Sequence, residues 1–430
     1  MRMVLDARPL RIAVLSIHSS PVGKLGTKHT GGMSVYIREL SRVLGRRGHR
    51  VDIFTRLQDP GADRKVQLYD NVRLIYLPVG NNGPLSTLAI YPYLDDFMRE
   101  VERFRASEQT HYDLIHSHYW LSGRVGKCLE EHWKSPHLVM FHTLGALKNI
   151  SVHDEQESEL RIATEENLVR HCQRILTATA REKEHLIRYY GARPERISVV
   201  PCGVNLDLFR PMDKMTARRQ LGIAEDEAMV LFVGRLSPIK GIDRLLRAMT
   251  YLKPGRSLRL MIIGGDDHDT PESNALQGLS RELGIHDAVV FLGRVEHEKL
   301  PPYYCAADVV VLPSHYETFG LVALEALACG TPVVATRVGA METLLREGET
   351  GHIVANGAPQ LLAQGIEQVT ADSASGRLSA DAIRGSILEF GWDTVASGIV
   401  DEYETLLRQY HRARIAGKST EVPLSDVSCW

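Results

Sequence analysis

What most constrains this chain is its rhythm. Short, nearly continuous apolar runs return along its length, each parted from the next by a stretch of helical periodicity. Runs of four to seven residues that are apolar at successive positions belong to strands buried on both faces, and a sheet is buried on both faces when helices cover it. The first series comprises Arg11 to Ile17, Val51 to Thr55, Val72 to Leu77, Leu114 to Ser117, Leu138 to His142, Ile175 to Ala178 and Ile197 to Val200. A second comprises Met229 to Gly234, Arg259 to Ile263, Val289 to Leu292, Val309 to Leu312 and Pro332 to Ala335. Strands alternating with helices predict an α/β protein with parallel sheets.

A chain of 430 residues exceeds one ordinary core, so two domains are expected. Between the two series lies PCGVNLDLFRP, Pro201 to Pro211, with two prolines, a glycine and little periodicity. The hinge is placed there. The division expected is a first Rossmann-like domain over 1–205, a second over 206–390, a terminal helix over 391–412 and a flexible tail over 413–430.

Composition narrows the classes of function. A hydrophobic fraction of 44% with 24% charged residues is that of a soluble globular protein. The formal net charge of -2 offers no electrostatic case for nucleic acid. No segment approaches the roughly 18 uninterrupted apolar residues of a membrane span. The apolar run near the start is broken by Asp6 and Arg8, and reads as a first strand rather than a signal peptide. A cytoplasmic location is expected. The six cysteines (Cys128, Cys172, Cys202, Cys305, Cys329 and Cys429) lack the close pairs of a zinc or redox site and are expected to be reduced.

The chemistry gathers at strand ends. In PSHYETFGLVALEALACGTPVVAT, Pro313 to Thr336, the strand Asp308 to Pro313 gives way to a helix with Leu321, Leu324, Leu327 and Ala328 on one face. Glu317 then lies in the loop at the strand's carboxyl end and Glu325 on the helix, both able to face one crevice. That is the edge where open α/β sheets bind ligands. Arg235 and Lys240 occupy the loop of LFVGRLSPIKG, beside Gly234 and Gly241. Two cations there suit a diphosphate and would neutralise charge on a departing phosphate.

In the first half, a glycine-containing loop enters a helix at Gly31 and Gly32. Free N–H groups at such a start favour anions, although a glycine pair also serves as a plain helix start. His116 and His118 stand two apart just past a strand; without a third ligand at usable spacing, a cleft wall is favoured over a metal pair. His142, at the end of HLVMFHT and followed by Thr143, suits a contact to a substrate hydroxyl, or a satisfied buried histidine. Arg161, in an acidic helix, equally suits an ion pair with a neighbouring glutamate. Asp267-His268-Asp269 imitates a metal-binding D-x-D, but the polar run DDHDTPESN reads as a solvated turn. With neither a G-x-G-x-x-G turn nor a Walker-type lysine loop, hydride transfer and ATP hydrolysis lose ground.

These motifs together, from HSSP and GGMSVYIREL through FHT, GRLSPIKG and the E-x7-E pair to GWDTVASGIVDEYE, resemble the retaining GT-B glycosyltransferases of family GT4 along nearly the whole chain. Within it, the chain is most similar to the branch of inositol-phosphate glycosyltransferases and sucrose-phosphate synthases. The resemblance implies the GT-B fold, two Rossmann-like parallel-sheet domains facing a cleft, with the terminal helix crossing back to the first. It implies a UDP-sugar donor, a small polyol or sugar phosphate acceptor, no prosthetic group and no strictly required metal; a homodimer is left open. By the same resemblance Arg235 and Lys240 grip the diphosphate, with Gly32 near it. Glu317 and the backbone of Phe319, Gly320 and Leu321 hold the sugar, Glu325 the ribose, and Arg294 lies near the base. His142 sits beside the transferring sugar, Tyr119, Thr143 and Arg161 match an acceptor-phosphate pocket, and Ser34 is counted with them as acceptor-binding. The inositol-phosphate enzymes carry Asn in place of Ser34 and a lysine near Thr87, whereas IYPYLDDF, Ile90 to Phe97, is similar to a W-P-Y-L segment of sucrose-forming relatives. Acceptor identity, and glucose versus N-acetylglucosamine as the sugar, stay open.

Overall fold

The computed structural model describes residues 8–23, 31–81, 83–151, 156–253, 258–265 and 270–415. The Asp267-His268-Asp269 turn, Cys429 and most of the tail lie outside them. The first half builds one sheet from β1 (Arg11–Leu15), β2 (Arg50–Arg56), β3 (Lys65–Tyr69), β4 (Val72–Leu77), β5 (Leu114–His118), β6 (His137–Met140), β7 (Arg174–Thr177) and β8 (Ile197–Val199), in the order β3-β4-β2-β1-β5-β6-β7-β8. The second half builds another from β9 (Ala228–Val233), β10 (Leu258–Ile263), β11 (Val289–Gly293), β12 (Val309–Leu312), β13 (Val333–Thr336) and β14 (Gly351–Val354), in the order β11-β10-β9-β12-β13-β14. All pairings are parallel except β3 with β4.

Every expected strand is present, and two were missed. β3 is an antiparallel, partly exposed edge strand whose KVQLY alternates weakly, and β14 is four residues opening on a glycine. By contrast β1 is covered on both faces, with Ile12, Ala13, Val14 and Leu15 at most 2% exposed, which is why its sequence shows no alternation. In each sheet the strand order reverses beside the first strand, at β1/β5 and at β9/β12, leaving a crevice at the carboxyl ends.

The chain crosses between the halves twice, at neighbouring places. Going out, Val204 N–H donates to the Phe390 carbonyl at 2.9 Å; coming back, Trp392 N–H donates to the Val204 carbonyl at 3.3 Å. The helix Trp392–Ile415 then lies along the first half, burying Trp392, Val395, Ala396, Ile399, Tyr403, Leu406 and Tyr410. Apolar burial on that scale is worth roughly 1.5–3 kcal/mol for each large side chain. Polar contacts fix the helix: Tyr403 hydroxyl meets His116 Nδ1 at 2.8 Å, Ser198 Oγ donates to Glu402 at 2.6 Å and Arg174 to Gln409 at 2.8 Å.

Among the described residues no helix is long and apolar enough to cross a membrane. Cys172, Cys202, Cys305 and Cys329 are buried thiols outside any disulfide, and Cys128 likewise forms no disulfide.

The crossing is tight at Gly203, where a Cβ would sit 2.6 Å from the Trp392 indole. Gly203→Ala is expected to destabilise the protein by roughly 1–3 kcal/mol through overpacking. Thermal denaturation should show a lowered midpoint, and an unchanged midpoint would mean the crossing is loose.

Candidate active site

In the second half, β9 ends at Val233, and Arg235 follows Gly234 in the loop that turns through Pro238–Lys240. Gly241, at φ +66, closes this loop so tightly on the end of β12 that a Cβ would lie 2.2 Å from the Pro313 carbonyl oxygen. The approach brings Lys240 to Glu317, with Nζ 2.5 Å from Oε1, and Ser314 Oγ donates to the same oxygen at 3.0 Å. A cation and a carboxylate 77 positions apart are thus set against each other at one sheet edge. Arg235 is exposed and makes no ion pair or hydrogen bond with the described residues.

Gly320, at φ +105, admits the turn into the helix Leu321–Ala328; a Cβ there would strike Met341 at 2.3 Å. Phe319 is buried, its carbonyl accepting from Ala340 N–H at 2.9 Å. Across the cleft begins the helix Gly32–Arg46, and a Cβ on Gly32 would lie 3.3 Å from Leu321 Cδ1. Two helix amino ends, the positive ends of their dipoles, therefore meet between the halves. Glu325 is buried one helical turn inside, bonded by Tyr304 hydroxyl and by His297 Nε2, each at 2.7 Å. Arg294 is half-buried just past β11, where its charge acts on Glu296.

In the first half, β5 and β6 are followed by two non-glycine residues with left-handed backbone, Tyr119 at φ +76 and His142 at φ +61. Such conformations cost of the order of 1–3 kcal/mol and persist where surrounding contacts impose them. Arg161 lies 4.8 Å over the Tyr119 ring and donates to both the carbonyl and Oγ1 of Thr143 at 2.9 Å. Tyr119, Thr143 and Arg161, grouped by resemblance alone, are therefore neighbours in space. Arg161 also has its ion pairs, with Glu165 at 2.7 Å and Glu157 at 2.8 Å. Burial works against its charge, but Glu165, Tyr119 and Glu157 outweigh it and hold the pKa above the ordinary value. Ser34 stands apart: it is wholly buried, its hydroxyl 2.8 Å from that of Ser19.

His142 Nε2 lies 2.8 Å from His118 Nδ1, and the His118 ring lies 4.2 Å from that of His116. With the Nδ1 atoms of His116 and His118 taken by Tyr403 and His142, the pair forms a wall of two tilted rings. Among the described residues no group of three or more His, Cys, Asp or Glu is arranged to hold a metal. Burial pushes His142 and His116 down to about 3 and His118 well below its ordinary value, so these imidazoles are neutral hydrogen-bonding groups.

Contacts that close the cleft were not legible from single motifs. Thr318 Oγ1 donates to the His142 carbonyl. Tyr316 packs into the first half's cluster of Val139, Phe141 and Leu144. Arg181 donates to the Arg337 carbonyl at 3.0 Å, and Arg38 to His297 at 3.1 Å. Tyr316 and Thr318 flank Glu317, the nearest thing to a sequence signal; Arg38 and His297 carried none.

These three buried histidines imply a pH dependence of stability. Their folded pKa values lie below the unfolded value of about 6.5, so on acidification the unfolded chain takes up protons that the folded chain refuses. Their contribution is complete above about pH 6.5 and is lost toward pH 3, by up to roughly 1.4 kcal/mol per pH unit for each histidine. Glu182, raised to about 7 by burial, opposes them as a single group. The thermal midpoint should fall between pH 7 and pH 5 and fall less in His118→Gln; an equal fall in both would overturn this account.

Comparison with known proteins agrees with the fold. The family model "Glycosyltransferase Family 4" matches residues 30–208, and "Glycosyl transferases group 1" matches residues 213–384. The chain is similar to D-inositol 3-phosphate glycosyltransferase 2 of Catenulispora acidiphila, 40% identical over 422 residues covering 95% of this chain and 98% of that one. It is likewise 40% identical, over 411 residues, to D-inositol 3-phosphate glycosyltransferase of Geodermatophilus obscurus, covering 93% and 90%. Among solved structures, sucrose-phosphate synthase from Thermosynechococcus elongatus superposes with a TM-score of 0.87 at 33% identity, covering 93% of this chain and all of that one. Anabaena HepE, in complex with UDP and glucose, shares the fold with a TM-score of 0.72 at 22% identity, covering 92% and 100%. With glycosyltransferase models matched in both halves and relatives 40% identical along nearly their whole length, the chain belongs to the GT-B glycosyltransferases of family GT4.

Proposed function

We propose that this glycosyltransferase moves a hexosyl group, glucose or N-acetylglucosamine, from a UDP-sugar to a small hydroxylated, phosphorylated acceptor such as an inositol phosphate or a sugar phosphate, with retention of configuration. Residues 1–205 supply the acceptor side and 206–390 the donor side. The observation that carries the reading is the Lys240–Glu317 pair at the carboxyl edge of β9 and β12, one residue from the Thr318 contact to His142. Lys240 and the uncommitted Arg235 neutralise the diphosphate, while Glu317 accepts from sugar hydroxyls and keeps Lys240 in place. The bond from the anomeric carbon to the phosphate oxygen breaks, the acceptor oxygen bonds to that carbon on the same face, and the departing phosphate takes the acceptor's proton. The protein contributes orientation and charge stabilisation. Metal is not strictly required in this scheme, because the two cations carry the diphosphate charge.

The relatives' name supports inositol phosphate as the acceptor. So does the group around Arg161, whose partner Glu157 also binds Lys148, placing two cations together. An acceptor phosphate would displace Glu157, the more exposed of the two carboxylates on Arg161. A second reading, glucosyl transfer to a sugar phosphate as in the sucrose-forming enzymes, is favoured by the 33% identity to sucrose-phosphate synthase and by the segment Ile90–Phe97.

Arg235→Ala and Lys240→Ala should each lower turnover roughly 100- to 1,000-fold with little change in the thermal midpoint; wild-type rates in both at saturating donor would overturn the assignment of roles. A panel of UDP-glucose and UDP-N-acetylglucosamine against inositol 3-phosphate, fructose 6-phosphate and unphosphorylated inositol, read by UDP release, should favour a phosphorylated acceptor. Lys148→Met should raise the KM for that acceptor roughly tenfold and leave the donor KM unchanged. Equal rates with inositol and its phosphate would sink the phosphate site.

A further inference from the structure

The carboxylate proposed to meet the donor's ribose is the end of a longer chain of contacts. Glu325 Oε1 faces His297 Nε2, and its Oε2 accepts from Tyr304. His297 begins the turn His297–Lys299 and is held edgewise by Phe209 of the linker, ring to ring at 5.0 Å; the same Phe209 meets Tyr304 at 5.9 Å. On its other side, His297 Nδ1 lies 3.1 Å from Nη2 of Arg38, which belongs to the helix Gly32–Arg46 of the first half. A guanidinium has no acceptor. Nδ1 must therefore accept and Nε2 must carry the hydrogen toward Glu325, so hydrogen bonds run unbroken from one half of the molecule to the donor-side carboxylate of the other.

The charged groups around this chain are few. From the first half come Arg38, Glu39 at 3.6 Å from its Nε, and Arg42, which pairs with Glu39 at 2.9 Å. The linker adds Asn205, donating to Glu39 at 3.3 Å. The second half adds Glu298, 3.2 Å from Arg38 Nη1, with Tyr304 and Glu325 themselves.

We propose that His297 is a positioning residue of the donor site, which senses through Arg38 whether the two halves are together and sets the Glu325 carboxylate accordingly. The inference rests on the reading that Glu325 meets the ribose. Its physical basis is an exclusion: a protonated imidazole bears hydrogen on both nitrogens, so Arg38 cannot donate to it and two cations would face each other. The closed arrangement needs the neutral ring. Burial disfavours the charged ring, while Glu325 more than offsets this and holds the His297 pKa above its ordinary value; Arg38 pulls the other way. In an opened cleft, without Arg38, the proton would be held more firmly still. Closing therefore releases a proton, and donor binding weakens as the pH falls through the His297 pKa.

The test is donor KM, acceptor KM and kcat across about pH 6 to 9, with UDP affinity measured alongside by calorimetry. The wild type should show a donor KM that rises on acidification while the acceptor KM stays level. His297→Gln retains a donor toward Glu325 and an acceptor toward Arg38 but cannot titrate, so it should match wild type at the alkaline end and lose the pH dependence. His297→Leu should raise the donor KM and weaken UDP binding roughly tenfold or more at every pH. Arg38→Met should lose the pH dependence while keeping the His297 contact to Glu325. A wild-type pH dependence in His297→Gln, or an unchanged donor KM in His297→Leu, would overturn the inference. Glu325→Ala separates the two levels: if it leaves the donor KM unchanged the ribose reading fails, and if it raises the KM while the His297 variants behave as wild type, only the coupling fails.

Discussion

Val204 exchanges backbone hydrogen bonds with Phe390 and Trp392, and the geometry of the cleft is referred to that point. Because the outgoing and returning strands of chain lie side by side, the halves are joined by a narrow double connection rather than a broad one. Relative motion about such a joint changes few φ and ψ angles. The two crevices, at β1/β5 and β9/β12, face each other across the cleft.

Around this joint the site is built from groups already committed to one another. Lys240 is held by Glu317, Arg161 by Glu165 and Thr143, and Glu325 by Tyr304 and His297. Charges so paired do not need to be ordered when a ligand arrives, which is the sense in which a polar site is preorganised. Arg235 is the exception, exposed and uncommitted among the described residues, and so retains its full charge for a ligand.

Much of the fold was legible because burial on both faces writes continuous apolar runs into strands such as β1 and β12, and interrupts them at the loops. β3 and β14 escaped because edge strands are covered on fewer sides and need no such run. At the site, Arg235, Lys240 and Glu317 were legible because they fall in loops at strand carboxyl ends, and Glu325 because it lies on the helix that follows such a loop. That Lys240 reaches Glu317 was not, because the contact depends on how closely Gly241 lets two loops approach. Ser34, set on the acceptor side by resemblance alone, turns its hydroxyl inward to Ser19. Contacts between halves, such as Arg38 with His297, left no local pattern, since neither helix nor turn requires those residue types by itself.

The terminal helix has a consequence for the order in which the molecule can be completed. Tyr403 supplies the hydroxyl for His116 Nδ1, and Trp392 packs edge to face on Tyr36 at 5.3 Å, so the core of the first half contains parts made after the whole second sheet. During synthesis at about 5–20 residues per second, the first sheet would wait on the order of ten seconds or more, after β8 emerges, for the chain that covers it. Until then its apolar flank is open to water and to other chains. The half of the molecule that is translated first is thus among the last to be finished, and the second sheet must fold in the interval, tethered to a partner still missing a wall.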